Sequence, residues 1–100
     1  MANSIGSNGS FISGSQTVSS AGTAVALETS FKLCRSLTII AKSANTGQVY
    51  VGGSDVASGT NSGLDANQSI SISSDNGLDM SDIYIDVGTN DDGVDFYAVR

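Results

Sequence analysis

Short apolar runs alternate with polar segments along the chain, and the clearest pair lies near its centre. Apolar residues 37–41 and 49–51 flank the polar segment 42–48, whose Asn, Thr and Gly residues allow the backbone to reverse. Within each run, alternate residues fall on one side of an extended strand. The pattern predicts a β-hairpin with one apolar face. It also predicts a structural corner at Gly52 and Gly53, where a side chain would not fit.

The same two-residue period continues through the rest of the chain, and no segment shows the period of a helix. Residues 68–74 alternate Ile with Ser, and the Asp-Asn-Gly sequence at residues 75–77 predicts a turn after them. Further extended segments are predicted at residues 17–18, 25–27, 31–34, 82–87 and 94–99. The sequence therefore predicts an all-β, single-domain antiparallel β-sandwich or jelly-roll-like fold with about seven or eight short strands.

Length and composition indicate one domain with one modest core, because the chain has 100 residues, of which 39% are hydrophobic. Residues 1–15 differ from the rest in being rich in Ser, Gly and Asn. We expect them to be either a frayed terminus or a flexible N-terminal arm that orders against a neighbouring subunit, with residues 16–100 forming the sandwich. The arm residues expected to contact a partner are Ser4, Ile5, Phe11 and Ile12.

The charge of the chain limits the partners that we expect, and its cysteine content indicates the compartment in which it is made. The net charge is −6, and nine of the ten acidic residues are Asp. Such a chain repels phosphate backbones, so nucleic-acid binding is not expected. The N-terminus lacks the pattern of a signal peptide, and no apolar run reaches membrane-spanning length, so no membrane association is expected. The single Cys34 fits a protein made in a reducing cytoplasm.

Few residues of the chain are suited to catalysis or to binding a cofactor, and we predict no enzymatic activity and no cofactor. The chain has no His, so the one Cys has no imidazole base to activate it. Clustered oxygen ligands could hold Ca²⁺, but the spacing of the acidic residues does not match an EF-hand loop. Ordinary turns are the default interpretation, and no metal is predicted. The weak Ca²⁺ candidates are Asp75, Asp79, Asp91 and Asp92.

Outward-facing residues provide the best candidate for a contact surface. Tyr50, Tyr84 and Tyr97 each fall opposite the apolar face of their own strand, and Ile40 and Val99 also point outward. We predict that these five residues form an oligomer face. The tyrosines could equally mark a carbohydrate or protein contact, or cap the edge of the core with their hydroxyls in water.

Five short motifs carry a resemblance to a known family. They are CRS at residues 34–36, VYVGGSDV at 49–56, Ser-Gly-Leu at 62–64, QSISI at 68–72 and SDIYIDV at 81–87. With these five motifs in this order, the chain resembles small structural proteins of tailed bacteriophages. The resemblance implies a β-sandwich or jelly-roll module of the virion, either a capsid decoration (cement) protein or part of a head or tail fibre.

The resemblance also implies partners and a location. The expected function is to bind and stabilise the assembled phage head, with the major capsid protein or another virion protein as partner. A homo-oligomer, with a trimer favoured, would assemble in the bacterial host cytoplasm and reside in the virion. The alternative is a receptor- or glycan-binding module of a fibre, with the three tyrosines and the acidic loops 75–79 and 90–92 as its site. A purely structural collar or fibre component is a third possibility.

Overall fold

The computed structural model describes residues 11–59 and 62–100, which fold into two antiparallel sheets. The eight strands of this described part are β1 (Phe11–Thr17), β2 (Val25–Ala26), β3 (Leu33–Ala41), β4 (Val49–Gly52), β5 (Gly63–Leu64), β6 (Ser69–Asp79), β7 (Tyr84–Val87) and β8 (Gly93–Val99). A short 3-10 helix, Met80–Asp82, connects β6 to β7. Among the residues described, no helix has the length and apolar character needed to cross a membrane.

Over the described ranges each sheet has four strands, and the inner faces of the two sheets share one core. The strand order is β1-β8-β3-β6 in the first sheet and β2-β7-β4-β5 in the second. The core contains Leu37, Ile39 and Phe96 from the first sheet, together with Val49 and Ile85 from the second. The prediction of an all-β domain with two antiparallel sheets is therefore confirmed.

Alternation along the strands predicted the inner faces correctly. In β8, Val94, Phe96 and Ala98 are buried, whereas Tyr97 and Val99 are exposed. The same period in β3 buries the residues of its C-terminal half that were expected to face inward, namely Leu37, Ile39 and Ala41. Burial of every second side chain against a facing sheet is what keeps these strands in register.

The predicted central hairpin is wrong. Strand β3 pairs with β6 and β8 in the first sheet, while β4 pairs with β5 and β7 in the second. Residues 42–48 therefore cross from one sheet to the other. The apolar faces of β3 and β4 were correctly recognised, but they meet across the core and not side by side.

The turn predicted at Asp-Asn-Gly is a bulge inside one long strand. Pairing of β3 with β6 shifts between Cys34↔Leu78 and Ser36↔Ser73, so Arg35 lies opposite residues 74–77. Gly77 has a φ of +94°, a left-handed conformation that glycine adopts without strain. The turn residues interrupt the register of the edge strand without ending it, and β6 continues to Asp79.

The N-terminal boundary of the sandwich lies earlier than predicted. Strand β1 pairs with β8 from Phe11↔Val99 to Thr17↔Gly93. Residues 11–15, predicted to belong to an arm, are therefore in the first sheet. Ile12 packs against the core, which supplies the burial that favours this pairing. Ser4 and Ile5, the other arm candidates, lie outside the described residues.

Candidate functional site

The outward surface of the first sheet, here called the outer face, is assembled from four strands in register. Directly paired residues share a face of a sheet, so the ladders place side chains from β1, β8, β3 and β6 in rows. The rows are Phe11–Val99–Ser36–Ser73, Ser13–Tyr97–Thr38–Ser71 and Ser15–Asp95–Ile40–Ser69.

Aromatic and aliphatic side chains are concentrated at the β1–β8 end of the outer face. The rings of Phe11 and Tyr97 are stacked, with centroids 6.0 Å apart and an interplanar angle of 22°. Phe11 is 71% exposed, and Val99, its partner in the ladder, is 44% exposed. Large aromatic side chains that stay exposed together on a sheet surface are typical of protein contact sites.

The rest of the outer face is polar but carries little charge. Thr38 Oγ1 and Ser71 Oγ share a hydrogen bond of 3.2 Å between neighbouring strands. Asp95 is the one charged residue in the three rows described above, and its Oδ1 lies 2.8 Å from Lys42 Nζ. A neutralised surface on a chain of net charge −6 resembles the centre of a protein interface, where charged residues are depleted.

The predicted oligomer face does not exist as one surface. Ile40, Tyr97 and Val99 share the outer face, but Tyr50 and Tyr84 lie on the outward side of the second sheet. The separation follows from the wrong hairpin, since strands of different sheets face outward in opposite directions. The glycan site predicted from the three tyrosines is likewise not assembled.

The acidic loop between β7 and β8 holds other loops in place. The carboxylate of Asp92, only 6% exposed, accepts hydrogen bonds from Thr46 N at 3.2 Å and from Gly47 N at 2.8 Å. Asn45 completes this contact, because its Nδ2 donates to Gly93 O and its Oδ1 accepts from Gly93 N. These bonds anchor the segment that crosses between the sheets. We call Asp92 and Asn45 the crossover clamp.

Two further carboxylates also act as internal hydrogen-bond acceptors. Asp86 is buried and its Oδ1 accepts from Gly22 N at 2.9 Å and from Val87 N at 2.8 Å. Asp79 precedes the 3-10 helix and accepts from the backbone N–H and hydroxyl of Ser81. The Ser81 N–H lowers the pKa of Asp79 below its ordinary value.

The Ca²⁺ candidates do not converge on one site. Asp79 and Asp92 use their carboxylates as described above, and Asp75 lies in the exposed bulge of β6. Asp91 is exposed and has a positive φ of 72° in the β7–β8 loop. Within the described ranges, no group of three or more His, Cys, Asp or Glu residues is placed to hold a metal ion.

The predicted corner and the single cysteine have structural positions. At the end of β4, Val56 N donates to Gly53 O at 3.0 Å and closes a turn. A Cβ on Gly53 would only touch Asp55 Oδ1 at 3.7 Å, so the expectation that no side chain fits is wrong for Gly53. Gly52 is the last residue of β4 and pairs with Tyr84. Cys34 is buried in the core, and burial raises the pKa of its thiol.

Sequence reasoning missed the crossover clamp and Gly93. A Cβ on Gly93 would collide with the carbonyl oxygen of Gln16, so the first residue of β8 must lack a side chain. The sequence signal was present, as Gly93 directly follows two Asp residues at the start of an apolar strand. That pattern is also typical of an ordinary turn, and it does not identify a partner 45 or more residues away.

Comparison with known proteins adds no relative. The chain matches no family model, no curated protein and no solved structure. The resemblance to phage structural proteins therefore stays a prediction from the motifs.

Proposed function

We propose that the protein is a virion structural protein, a decoration (cement) protein that binds the assembled head of a tailed phage through its outer face. The observation that carries the proposal is the exposed, stacked pair Phe11 and Tyr97 beside Val99 on a surface of low charge. The five motifs that resemble phage structural proteins supply the identity of the partner, and a jelly-roll-like sandwich is the architecture that this resemblance implies.

Docking through the outer face would stabilise a shell by burying these side chains against capsid subunits. Fully burying a large apolar side chain contributes about 1.5–3 kcal/mol, so the Phe11 cluster alone supplies a modest affinity. A lattice offers repeated sites, and several linked contacts raise the avidity of an oligomer well above that of one contact. Binding that exists only on the closed lattice favours the assembled shell by mass action.

Co-sedimentation with purified shells tests this function. The protein is mixed with purified head shells of the phage that encodes it under this proposal. The fraction of protein that sediments with the shells is measured over a range of protein concentrations. We expect Phe11→Ser to weaken binding about tenfold or more, because it removes half of the stacked pair. Phe31→Ser is the matched control, since Phe31 is 69% exposed and lies outside the strands of the outer face. Failure of the unmodified protein to bind shells would refute the proposal.

A glycan-binding fibre module is the competing function. It would bind sugar as an isolated domain, without any shell, so a glycan array distinguishes the two. The structure offers this alternative less support because Tyr97 is separated from Tyr50 and Tyr84, and Asp92 is engaged by backbone N–H groups. Specific sugar binding that survives Phe11→Ser, without binding to shells, would replace our proposal.

A further inference from the structure

Strand β6 forms one edge of the first sheet, and among the described residues its only strand partner is β3. Ala41 N donates to Gln68 O at 2.9 Å, which sets the phase of the ladder. Hydrogen-bonded and non-hydrogen-bonded pairs alternate along antiparallel strands. The backbone N–H and C=O groups of Ile70 and Ile72 therefore point toward β3. The backbone N–H and C=O groups of Ser69, Ser71 and Ser73 point the other way, toward the edge of the sheet.

The inner side of this edge is incompletely covered. Ile70 is paired with Ile39, so both side chains point toward the core side of the sheet. Ile39 is fully buried, whereas Ile70 is 39% exposed. An additional strand beside β6 would cover Ile70 with its own inward side chain.

The straight part of this edge, residues 69–73, lacks the features that usually prevent strand pairing, and the bulge follows it. Protein edges are commonly protected by Lys, Pro or inward-pointing charges, and residues 68–74 contain none of these although the chain carries a net charge of −6. The straight part ends at Ser73, where the bulge begins. Residues 69–73 have the sequence Ser-Ile-Ser-Ile-Ser, which is the same in both directions.

We propose that a second copy of this chain pairs with β6, edge to edge and antiparallel, around a two-fold axis through Ser71. The palindromic sequence then places Ser71 opposite Ser71 and Ile70 opposite Ile72 of the second copy. The edge-directed backbone groups of the three serines bond across the axis, and the two sheets of four strands become one continuous sheet. This interface does not depend on the virion function proposed above.

The other edge of the first sheet is less suited to self-pairing. Strand β1 contains Gly14 at its centre, which weakens a strand because it has no side chain to pack. Its inner side is also tied to the second sheet, since Gln16 Nε2 donates to Ala26 O at 2.9 Å. The sequence of β1 is palindromic only at Ser13-Gly14-Ser15, and an antiparallel copy centred on Gly14 would place Ile12 opposite Gln16.

Light scattering and sedimentation equilibrium test the dimer. We expect a mass about twice the 10.1 kDa of one chain, decreasing on dilution. Ser71→Lys places two like charges opposite each other at the axis and should raise the dissociation constant about tenfold or more. Ser13→Lys is the matched control, because Ser13 is exposed in the same row at the opposite edge. A monomer at every concentration, or a trimer unaffected by Ser71→Lys, would overturn the proposal.

Cysteine cross-linking tests the register. A residue on the two-fold axis meets its own copy at about 5.5 Å between Cα atoms, within the range of a disulfide. Ser71→Cys should therefore form a cross-linked dimer on oxidation, whereas Ser69→Cys should not, because Ser69 faces Ser73 of the second copy. Circular dichroism verifies that each variant remains folded. Equal cross-linking of Ser69→Cys and Ser71→Cys would show that the strands do not pair in this register.

Discussion

Removing the carboxylate of Asp92 should destabilise the whole domain, although the residue lies in a loop. Its two oxygens accept hydrogen bonds from Thr46 N and Gly47 N, and both donors belong to the segment that crosses between the sheets. Hydrogen bonds to a charged acceptor contribute about 1.5–3 kcal/mol each. The Thr46 amide belongs to an exposed residue and can recover a bond to water in the variant. We therefore expect Asp92→Ala to lower the free energy of unfolding by about 2–4 kcal/mol.

Urea unfolding followed by circular dichroism measures this loss, with the free energy extrapolated linearly to water. Asp92→Asn retains one oxygen acceptor without the charge and should lie between Asp92→Ala and the unmodified protein. Asp91→Asn is the matched control, because Asp91 is the exposed neighbour and Asn also tolerates its positive φ. Its unfolding free energy should change by less than about 0.5 kcal/mol. If Asp92→Ala unfolds at the same urea concentration as Asp91→Asn, the crossover clamp does not stabilise the segment that joins the two sheets.

Three further predictions concern pH, thiol reactivity and packing. The Ser81 N–H lowers the pKa of Asp79 in the folded state. The ionised Asp79 carboxylate therefore stabilises the fold at pH values above its unfolded pKa of about 4. This stabilisation is lost as the pH falls through the pKa of Asp79 in the folded protein. The stability gap between the protein and Asp79→Asn should narrow over that range in acid denaturation, and a constant gap would contradict the assignment. Cys34 should react with a thiol reagent only in denaturant, because burial removes access and raises its pKa; rapid labelling of the native protein would contradict its place in the core. Gly93→Ala should lower the free energy of unfolding by at least about 2 kcal/mol, measured by thermal or urea unfolding, whereas Gly53→Ala should leave it nearly unchanged. Equal effects of the two substitutions would refute the close approach of the backbone at Gly93.

Periodicity was sufficient to predict which residues of a strand face the core. Leu37 and Ile39 in β3, and Val94 and Phe96 in β8, are buried as their alternation indicated. This information is local, because successive side chains of any strand point to opposite sides. It survives errors in the choice of partner strand, so the all-β fold was predictable from the sequence.

The pairing of strands was not predictable in the same way. Residues 42–48 have the length and composition of a hairpin loop, yet they connect two sheets, and Asp92 and Asn45 bond this segment to the β7–β8 loop. The bulge in β6 misled the prediction for a related reason, since Asp-Asn-Gly suits both a chain reversal and a bulge within a strand. In both cases, contacts distant in sequence decide between conformations that the local residues permit equally.

The candidate site was predictable only in part. Tyr97, Val99 and Ile40 were recognised as outward-facing, and they do share one surface with Phe11. The error lay in adding Tyr50 and Tyr84, whose strands belong to the other sheet. Facing outward is a property of a single strand, whereas sharing a surface depends on which sheet contains that strand.

Oxidative footprinting of the protein on and off purified shells tests the role of the outer face most directly. Hydroxyl radicals modify exposed aromatic side chains, and Phe11, Tyr97 and Phe31 are 71%, 41% and 69% exposed in the free protein. We expect shell binding to protect Phe11 and Tyr97 together and to leave the oxidation of Phe31 unchanged. Protection of Phe31 alone, with Phe11 and Tyr97 still oxidised on the shell, would show that the protein binds through a different surface.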